Sequence, residues 1–144
     1  MIDPGLMDMI MALRRSSVSD TDVLRAMESV PRRHFVPDML WEKAYDDRSL
    51  PIACGQSISA PLTVARLTQL LDLKPDMKLL EIGTGSGYHA AVLSKMVTRV
   101  YSIERTNSLR PQRRGFPNYR STISSPATGT DDMDGKVRHP LTAS

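Results

Sequence analysis

The chain has 144 residues, of which 19 are basic and 16 are acidic, and its pI is near 9.2. This length suffices for one domain of ordinary size and is too short for two. The charge is unevenly placed, because residues 1–109 hold 13 basic and 13 acidic side chains, whereas residues 110–144 hold six and three. The larger part is therefore neutral, which argues against a nucleic-acid-binding domain.

The single cysteine, Cys54, excludes an intramolecular disulfide and a cysteine-rich zinc site. The three histidines, His34, His89 and His139, share no metal-ligand spacing, so no metal site is predicted. The N-terminus lacks the pattern of a signal peptide, and no apolar run approaches about 18 residues. We therefore expect a cytoplasmic protein that does not bind membranes.

The first 45 residues show helical periodicity. Apolar side chains recur at three- and four-residue spacing at Leu6, Met9, Ile10 and Leu13. This spacing predicts a helix over residues 1–15. A second helix is predicted to begin with Ser19 as its N-cap and to end at Pro31. A third, short helix is predicted over residues 38–45, and the chain from 46 to 61 is predicted to be an ordered loop.

The pattern changes after residue 61. Pro61 suits the first turn of a helix running to residue 73. Its core-facing side chains are predicted to be Val64, Leu67, Leu70 and Leu71. A strand over 78–82, a glycine loop, a helix over 88–96 and a strand over 98–104 then form a βαβ unit. Such a unit places its two strands parallel, with a right-handed crossover.

From residue 110 the pattern stops, since Phe, Ile, Leu and Val together account for only four of the last 35 residues. Such a segment buries too little apolar surface to offset its ordering entropy. We therefore divide the chain into N-terminal helices with a loop (1–60), the start of an α/β domain (61–109) and a poorly ordered tail (110–144).

The glycine loop is the local feature most indicative of chemistry. Gly83, Gly85 and Gly87 follow the first predicted strand, and Glu104 ends the second. A tight glycine turn lets the backbone approach a ligand at the carboxyl end of a strand. A carboxylate at the end of the next strand can accept hydrogen bonds from both hydroxyls of a ribose. An adenosine-containing ligand is therefore predicted, although a glycine turn alone is also common as a plain strand–helix junction.

Several segments resemble one enzyme family, the protein-L-isoaspartate O-methyltransferases. They are residues 30–37 (VPRRHFVP), 44–47 (AYDD), 50–52 (LPI), 55–61 (GQSISAP), 80–88 (LEIGTGSGY) and 102–105 (SIER). All fall in one register over about residues 20–109. The resemblance implies a Rossmann-like class I methyltransferase fold, α/β in class, with an N-terminal helical section and incomplete at the C-terminus.

The resemblance also implies a cofactor, a substrate and their residues. S-adenosyl-L-methionine would be bound by Glu81, Gly83, Thr84, Gly85, Ser86, Gly87 and Glu104. The substrate would be the free carboxylate of L-isoaspartyl residues in damaged proteins and peptides, bound by Gln56, Ile58 and Ser59. Ser59 would be the catalytic residue, its hydroxyl orienting the attacking carboxylate, in an enzyme expected to be a monomer.

The role of Ser59 and the function of the whole chain both remain open at this stage. Ser59 also suits the N-cap of the helix that begins at Pro61. The resemblance breaks off near residue 109, and the Gly-Asp-Gly turn that meets adenine in the family is not found. We therefore expect weak cofactor binding, or none, and marginal stability. An inactive remnant, an interaction fragment and another small class I methyltransferase are the competing interpretations.

Overall fold

The computed structural model describes residues 3–105 and, for residues 119–123, the course of the backbone. Two α-helices open the chain, α1 (Pro4–Arg15) and α2 (Thr21–Glu28). The predicted apolar stripe of α1 is confirmed, since Leu6, Met9, Ile10 and Leu13 are all buried. Pro4 stands in the first turn, where its missing N–H costs nothing, and the Asp3 carboxylate caps the helix.

The predicted N-cap of the second helix is wrong by one residue. Asp20 is the cap, and its Oδ1 accepts hydrogen bonds from the N–H groups of Asp22 at 2.9 Å and Val23 at 3.2 Å. The N–H of Ser19 instead donates to the side-chain oxygen of Gln69 at 3.0 Å. A carboxylate placed directly before the helix satisfies two of its unpaired donors, so Asp20 takes the position.

The chain between α2 and the next α-helix is built from short elements. Two 3₁₀ helices span Arg32–Phe35 and Asp38–Lys43, the second where residues 38–45 were predicted to be helical. The predicted loop contains a small hairpin in which β1 (Leu50–Pro51) pairs antiparallel with β2 (Ser57–Ile58). A further 3₁₀ turn, Ala53–Gly55, closes the hairpin.

Helix α3 (Pro61–Leu70) begins at Pro61 as predicted, but its buried face differs from the prediction. The side chains turned inward are Pro61, Val64, Ala65 and Thr68. Only Val64 was expected among them, whereas Leu67, Leu70 and Leu71 are 51%, 80% and 49% exposed. The helix carries two apolar stripes, and the narrower one, with Ala65, allows close approach to α1 and α2. Spacing alone could not rank the two stripes.

The βαβ prediction is confirmed. Strand β3 (Lys78–Ile82), helix α4 (Tyr88–Leu93) and strand β4 (Arg99–Glu104) follow one another, and the strands are parallel with Ile82 beside Ile103. A third parallel strand, β5 (Tyr119–Ile123), pairs with β4 to give the order β3-β4-β5. This strand lies inside the segment where the sequence indicated no element. The remainder of 110–144 lies outside the described residues.

Two groups of buried side chains meet at α4. Tyr88, Ala91 and Val92 pack into the core formed with α1, α2, α3 and the hairpin. Ala90 and Leu93, on the other face of α4, pack against Val97 and Val100 beside the sheet. Helix α4 therefore joins the N-terminal helices to the sheet, and it begins directly after the glycine loop.

Candidate functional site

The glycine loop turns sharply at the carboxyl end of β3. Gly83, Gly85 and Gly87 have φ values of +88°, +54° and +81°, a region that side chains with a Cβ rarely adopt. The N–H groups of Gly83 and Thr84 both donate to the Ile103 carbonyl, at 2.7 and 3.2 Å, which ties the loop to the end of β4. A Cβ added at Gly83 or Gly85 would meet no atom within 4 Å. The loop therefore borders open space on the side that a ligand would occupy.

Two carboxylates flank this loop. Glu104 is 9% exposed, and its Oε2 accepts the Gly85 N–H at 2.9 Å. Glu81 accepts a hydrogen bond from the Ser102 hydroxyl, which in turn lies 2.6 Å from the Thr84 hydroxyl. Because Ser102 uses its proton on Glu81, Thr84 donates to Ser102. A network of side chains thus fixes both strand ends around the loop.

The pKa of Glu81 is raised to about 7. Burial is the largest cause, because it penalises the charged carboxylate, and the negative charge of Glu104 adds to it. The hydrogen bond from Ser102 acts in the opposite direction. Near neutral pH this carboxyl group is therefore poised between its two protonation states.

The Ser59 segment, residues 56–60, runs through β2 to the start of α3. Ile58 is buried at 2% exposure and anchors the hairpin in the core, whereas Ser59 is exposed. The N-cap interpretation of Ser59 is wrong, because Ala60 is the cap residue and makes no side-chain cap bond. The Oδ1 of Asp47, which lies before the hairpin, accepts a hydrogen bond from the Leu62 N–H at 2.9 Å and so satisfies one free donor in the first turn of α3. The Ser59 hydroxyl is thus not committed to capping α3.

One cavity of about 590 Å³ brings the predicted site together. Nine of the ten predicted site residues line it, namely Gln56, Ile58, Ser59, Glu81, Gly83, Thr84, Gly85, Ser86 and Glu104. Gly87 does not, since it is buried behind the loop as the residue that precedes α4. The predicted cofactor and substrate segments, more than 20 residues apart in sequence, therefore face the same space.

Sequence analysis missed several residues of this cavity, His89 and Arg105 among them. The Nε2 of His89 lies 3.0 Å from the Thr68 hydroxyl, which donates its own proton to the Val64 carbonyl at 2.7 Å. Nε2 must therefore carry the proton, and burial lowers the pKa of this histidine. Its place in the first turn after the glycine loop was the signal available in the sequence.

Arg32 is a buried residue beside this site that was not among the predicted site residues. The residue is 0% exposed and donates to three backbone carbonyls, one of which belongs to Ser59. The neighbouring Arg33 is half-exposed, pairs with Asp3 at 2.8 Å and lies over the rings of Trp41 and Tyr45. Adjacent arginines in one motif thus have different surroundings.

The residues present fit an adenosine-containing ligand. The open side of the loop lets a ligand approach the backbone, and the buried Glu104 beside it offers an acceptor for hydroxyl groups. The cavity is large enough to hold such a ligand. Within residues 3–105 and 119–123, no three His, Cys, Asp or Glu side chains are arranged to hold a metal ion. In the same residues no helix has the length and apolarity needed to cross a membrane.

Comparison with known proteins agrees with this geometry. The family model for Protein-L-isoaspartate(D-aspartate) O-methyltransferase matches residues 6–116. The protein-L-isoaspartate O-methyltransferase of Maricaulis maris is 53% identical over 107 residues, which are 74% of this chain and 50% of the relative. That of Rhodospirillum centenum is 57% identical over 101 residues, covering 70% of this chain and 46% of the relative. The chain thus spans about half the length of the curated relatives it matches.

Solved structures show the same likeness. A protein-L-isoaspartate O-methyltransferase aligns over 82% of this chain and 41% of its own, with a TM-score of 0.72 and 25% identity. A putative enzyme of that name from Plasmodium falciparum, in complex with S-adenosyl-L-homocysteine, aligns over 71% of this chain and 50% of its own, with a TM-score of 0.61 and 29% identity. The expected Rossmann-like methyltransferase fold is confirmed, and the chain belongs to the protein-L-isoaspartate(D-aspartate) O-methyltransferase family.

Proposed function

We propose that this chain methylates the free carboxylate of L-isoaspartyl residues, with S-adenosyl-L-methionine as the methyl donor. The observation that carries the proposal is the single cavity that holds both the glycine loop and the Ser59 segment. Family membership supports the same reaction. The substrates would be proteins and peptides that contain isoaspartyl residues. We further propose that the chain works as a monomer in the cytoplasm, without nucleic acid or membrane partners.

The glycine loop and the strand-end carboxylate would hold the cofactor. Gly83 and Gly85 admit it close to the backbone, and Glu104 would accept hydrogen bonds from its ribose hydroxyls. Thr84 and Ser102 hold Glu81 beside the loop, where a partly ionised carboxyl group favours a positively charged ligand. When bound, S-adenosylmethionine supplies a methyl group activated by a positively charged sulfur.

The protein needs no general base for this reaction. A carboxyl group with a pKa near 4 is already an anion at neutral pH, so its oxygen can attack without losing a proton. One carboxylate oxygen would form the new bond to the methyl carbon as the carbon–sulfur bond breaks, and the electron pair of that bond would stay on sulfur. The Ser59 hydroxyl would donate a hydrogen bond that orients the carboxylate in line, while the buried Ile58 holds the segment in place.

The test is methyl transfer to matched peptides. Purified chain is incubated with methyl-labelled S-adenosylmethionine and an isoaspartyl peptide, or with the same peptide carrying normal aspartate. The proposal expects base-labile label on the isoaspartyl peptide alone. Ser59→Ala should reduce kcat/KM by about tenfold or more, as loss of a positioning contact does. Ser49→Ala, at an exposed serine that does not line the cavity, is the control. Equal labelling of both peptides would contradict the proposal.

A second candidate is a non-catalytic chain that associates with another polypeptide. It is favoured by large apolar side chains that are exposed on α3, at the residue after it, and on β3, which are Leu67, Leu70, Leu71, Leu80 and Ile82. Large apolar side chains exposed in this number are typical of interaction sites. The same assay separates the candidates, because this one expects no labelling of either peptide.

A further inference from the structure

Arg32 is a buried cation in the 3₁₀ helix Arg32–Phe35. Its Nη1 donates to the Ala44 carbonyl at 2.5 Å, and its Nη2 donates to the carbonyls of Arg48 at 2.9 Å and Ser59 at 3.0 Å. These acceptors belong to three separate segments: the end of the second 3₁₀ helix, the turn before β1, and the residues before α3. One guanidinium therefore binds together three stretches of irregular chain.

Burying an arginine side chain is costly, so its hydrogen bonds must compensate for the lost hydration. Burial of a guanidinium disfavours its charge, and it lowers the pKa of Arg32. The nearby Tyr88, Asp47 and Asp46 act in the opposite direction. The three acceptors are neutral carbonyls, so the contacts serve geometry more than charge neutralisation. Only the planar fork of arginine presents donors from separate nitrogens in fixed directions.

The same 3₁₀ helix also contacts the cofactor side of the site. The ring of Phe35 packs edge-on against Tyr88, with ring centres 5.4 Å apart and an interplanar angle of 61°. Tyr88 is 1% exposed and is the first residue of α4, directly after Gly87 of the loop. This 3₁₀ helix thus contacts the Ser59 backbone through Arg32 and the start of α4 through Phe35.

We propose that Arg32 is a positioning residue, which fixes the Ser59 backbone relative to the glycine loop so that the substrate carboxylate meets the methyl group in line. The inference rests on the proposed function for its catalytic consequence. The anchoring itself concerns only this chain's own backbone. Arg32 touches neither substrate nor cofactor and acts through the Ser59 carbonyl.

The experiment compares Arg32→Lys with Arg33→Lys. Lysine keeps the charge and three donors, but its single nitrogen cannot replace a fork that reaches three carbonyls. Hydrogen exchange of the amides at residues 57–62 should become about tenfold faster in R32K and stay at the wild-type rate in R33K. In the peptide assay, R32K should lower kcat/KM for the isoaspartyl peptide about tenfold, while its Kd for S-adenosylhomocysteine stays within twofold.

The outcomes separate this inference from the proposed function. Equal exchange at residues 57–62 in R32K and R33K would overturn the anchoring role. If R32K loses peptide turnover and S-adenosylhomocysteine binding to the same extent, Arg32 only stabilises the fold, and the positioning role is overturned as well. A wild-type chain that labels no peptide contradicts the proposed function, and the exchange data then decide the anchoring alone.

A wild-type measurement covers the case in which R32K does not fold. Nitrogen-15 NMR of the arginine side chains should show separate, slowly rotating Nη signals for Arg32, because its two Nη atoms are held by carbonyls. Arg25, whose side chain is exposed, should show averaged signals. Averaged Nη signals for Arg32 would overturn the inference without any variant.

Discussion

The inner faces of α1 and α2 and the outward faces of α3 and β3 place similar apolar side chains in opposite surroundings. In α1 and α2, Leu13 and Met27 are 3% and 0% exposed. On α3 and β3, Leu70 and Ile82 are 80% and 73% exposed. The amphipathic helices thus find partners among the described residues, whereas one face of α3 and one face of β3 do not.

The cavity lies on the border between these regions, which is why the contrast matters for function. Its lining includes the buried Val64 and the exposed Leu67 of α3, and the exposed Ile82 of β3. The elements that hold Ser59 and the glycine loop are packed on both sides of α4. The Ser59 segment and the glycine loop are therefore supported by the two groups of core residues that pack against α4.

The largest expected effect comes from making the same substitution in both regions. Leu13→Ala removes a buried side chain and leaves a cavity, so the free energy of unfolding should fall by about 2–5 kcal/mol. Leu70→Ala removes the same atoms from an exposed site and should change it by less than about 0.5 kcal/mol. Urea unfolding of both variants measures the difference. Equal destabilisation would show that the face of α3 carrying Leu70 is covered in solution.

A second prediction concerns Glu81 of β3 and the pH dependence of stability that its burial causes. The pKa of Glu81 is raised to about 7 in the folded chain from an ordinary value of 4.5, so the folded state holds its proton more tightly than the unfolded state does. Stability from this group is therefore full below about pH 4.5 and falls as the pH rises through 7. Glu81→Gln should remove that fall, worth on the order of 1–3 kcal/mol between pH 4.5 and 8.

The control for this measurement is Glu28→Gln, which alters an exposed carboxylate at the end of α2. Urea unfolding at several pH values gives the slope for each protein. An E81Q slope equal to that of the wild type would mean that Glu81 is solvated and that the sheet side of the cavity is open.

The smallest expected effect tests the corrected cap of α2. Asp20→Ala removes the acceptor for two backbone donors and should lower the free energy of unfolding by about 1 kcal/mol. Ser19→Ala should leave it nearly unchanged, because Ser19 contributes its backbone N–H to Gln69 and that group remains. Thermal unfolding monitored by circular dichroism suffices, and a larger loss in S19A than in D20A would restore the original cap assignment.

Features that depend on neighbours in sequence could be predicted, and features that depend on distant chain could not. The strand, glycine loop, helix and strand from 78 to 104 follow from periodicity and turn chemistry within 27 residues. The environment of Arg32 depends on carbonyls 12, 16 and 27 residues away. The Leu62 N–H, in the first turn of α3, donates to the side chain of Asp47, which lies 15 residues earlier in the chain. No local pattern contains this information.

The candidate site divides along the same line. The glycine loop and Glu104 could be predicted because a βαβ unit brings neighbouring strand ends together. That Ser59 faces the same cavity followed from the family resemblance and not from spacing, since the hairpin and α3 had to be folded to place it. Strand β5 escaped prediction because it lies in a segment with few apolar residues and its backbone pairs with β4, 19 residues earlier in the chain.

An NMR titration of the labelled chain with S-adenosylhomocysteine tests the central claim most directly. The claim is that the glycine loop and the Ser59 segment share one ligand cavity. Because the missing Gly-Asp-Gly turn predicts weak binding, the titration extends to millimolar ligand, and the shared cavity predicts saturable shifts in the amides of residues 83–86 and 103–105, with smaller shifts at 57–59 and none in α1. Shifts confined to the loop, with residues 57–59 unmoved, would contradict a shared cavity, as would the absence of any saturable shift.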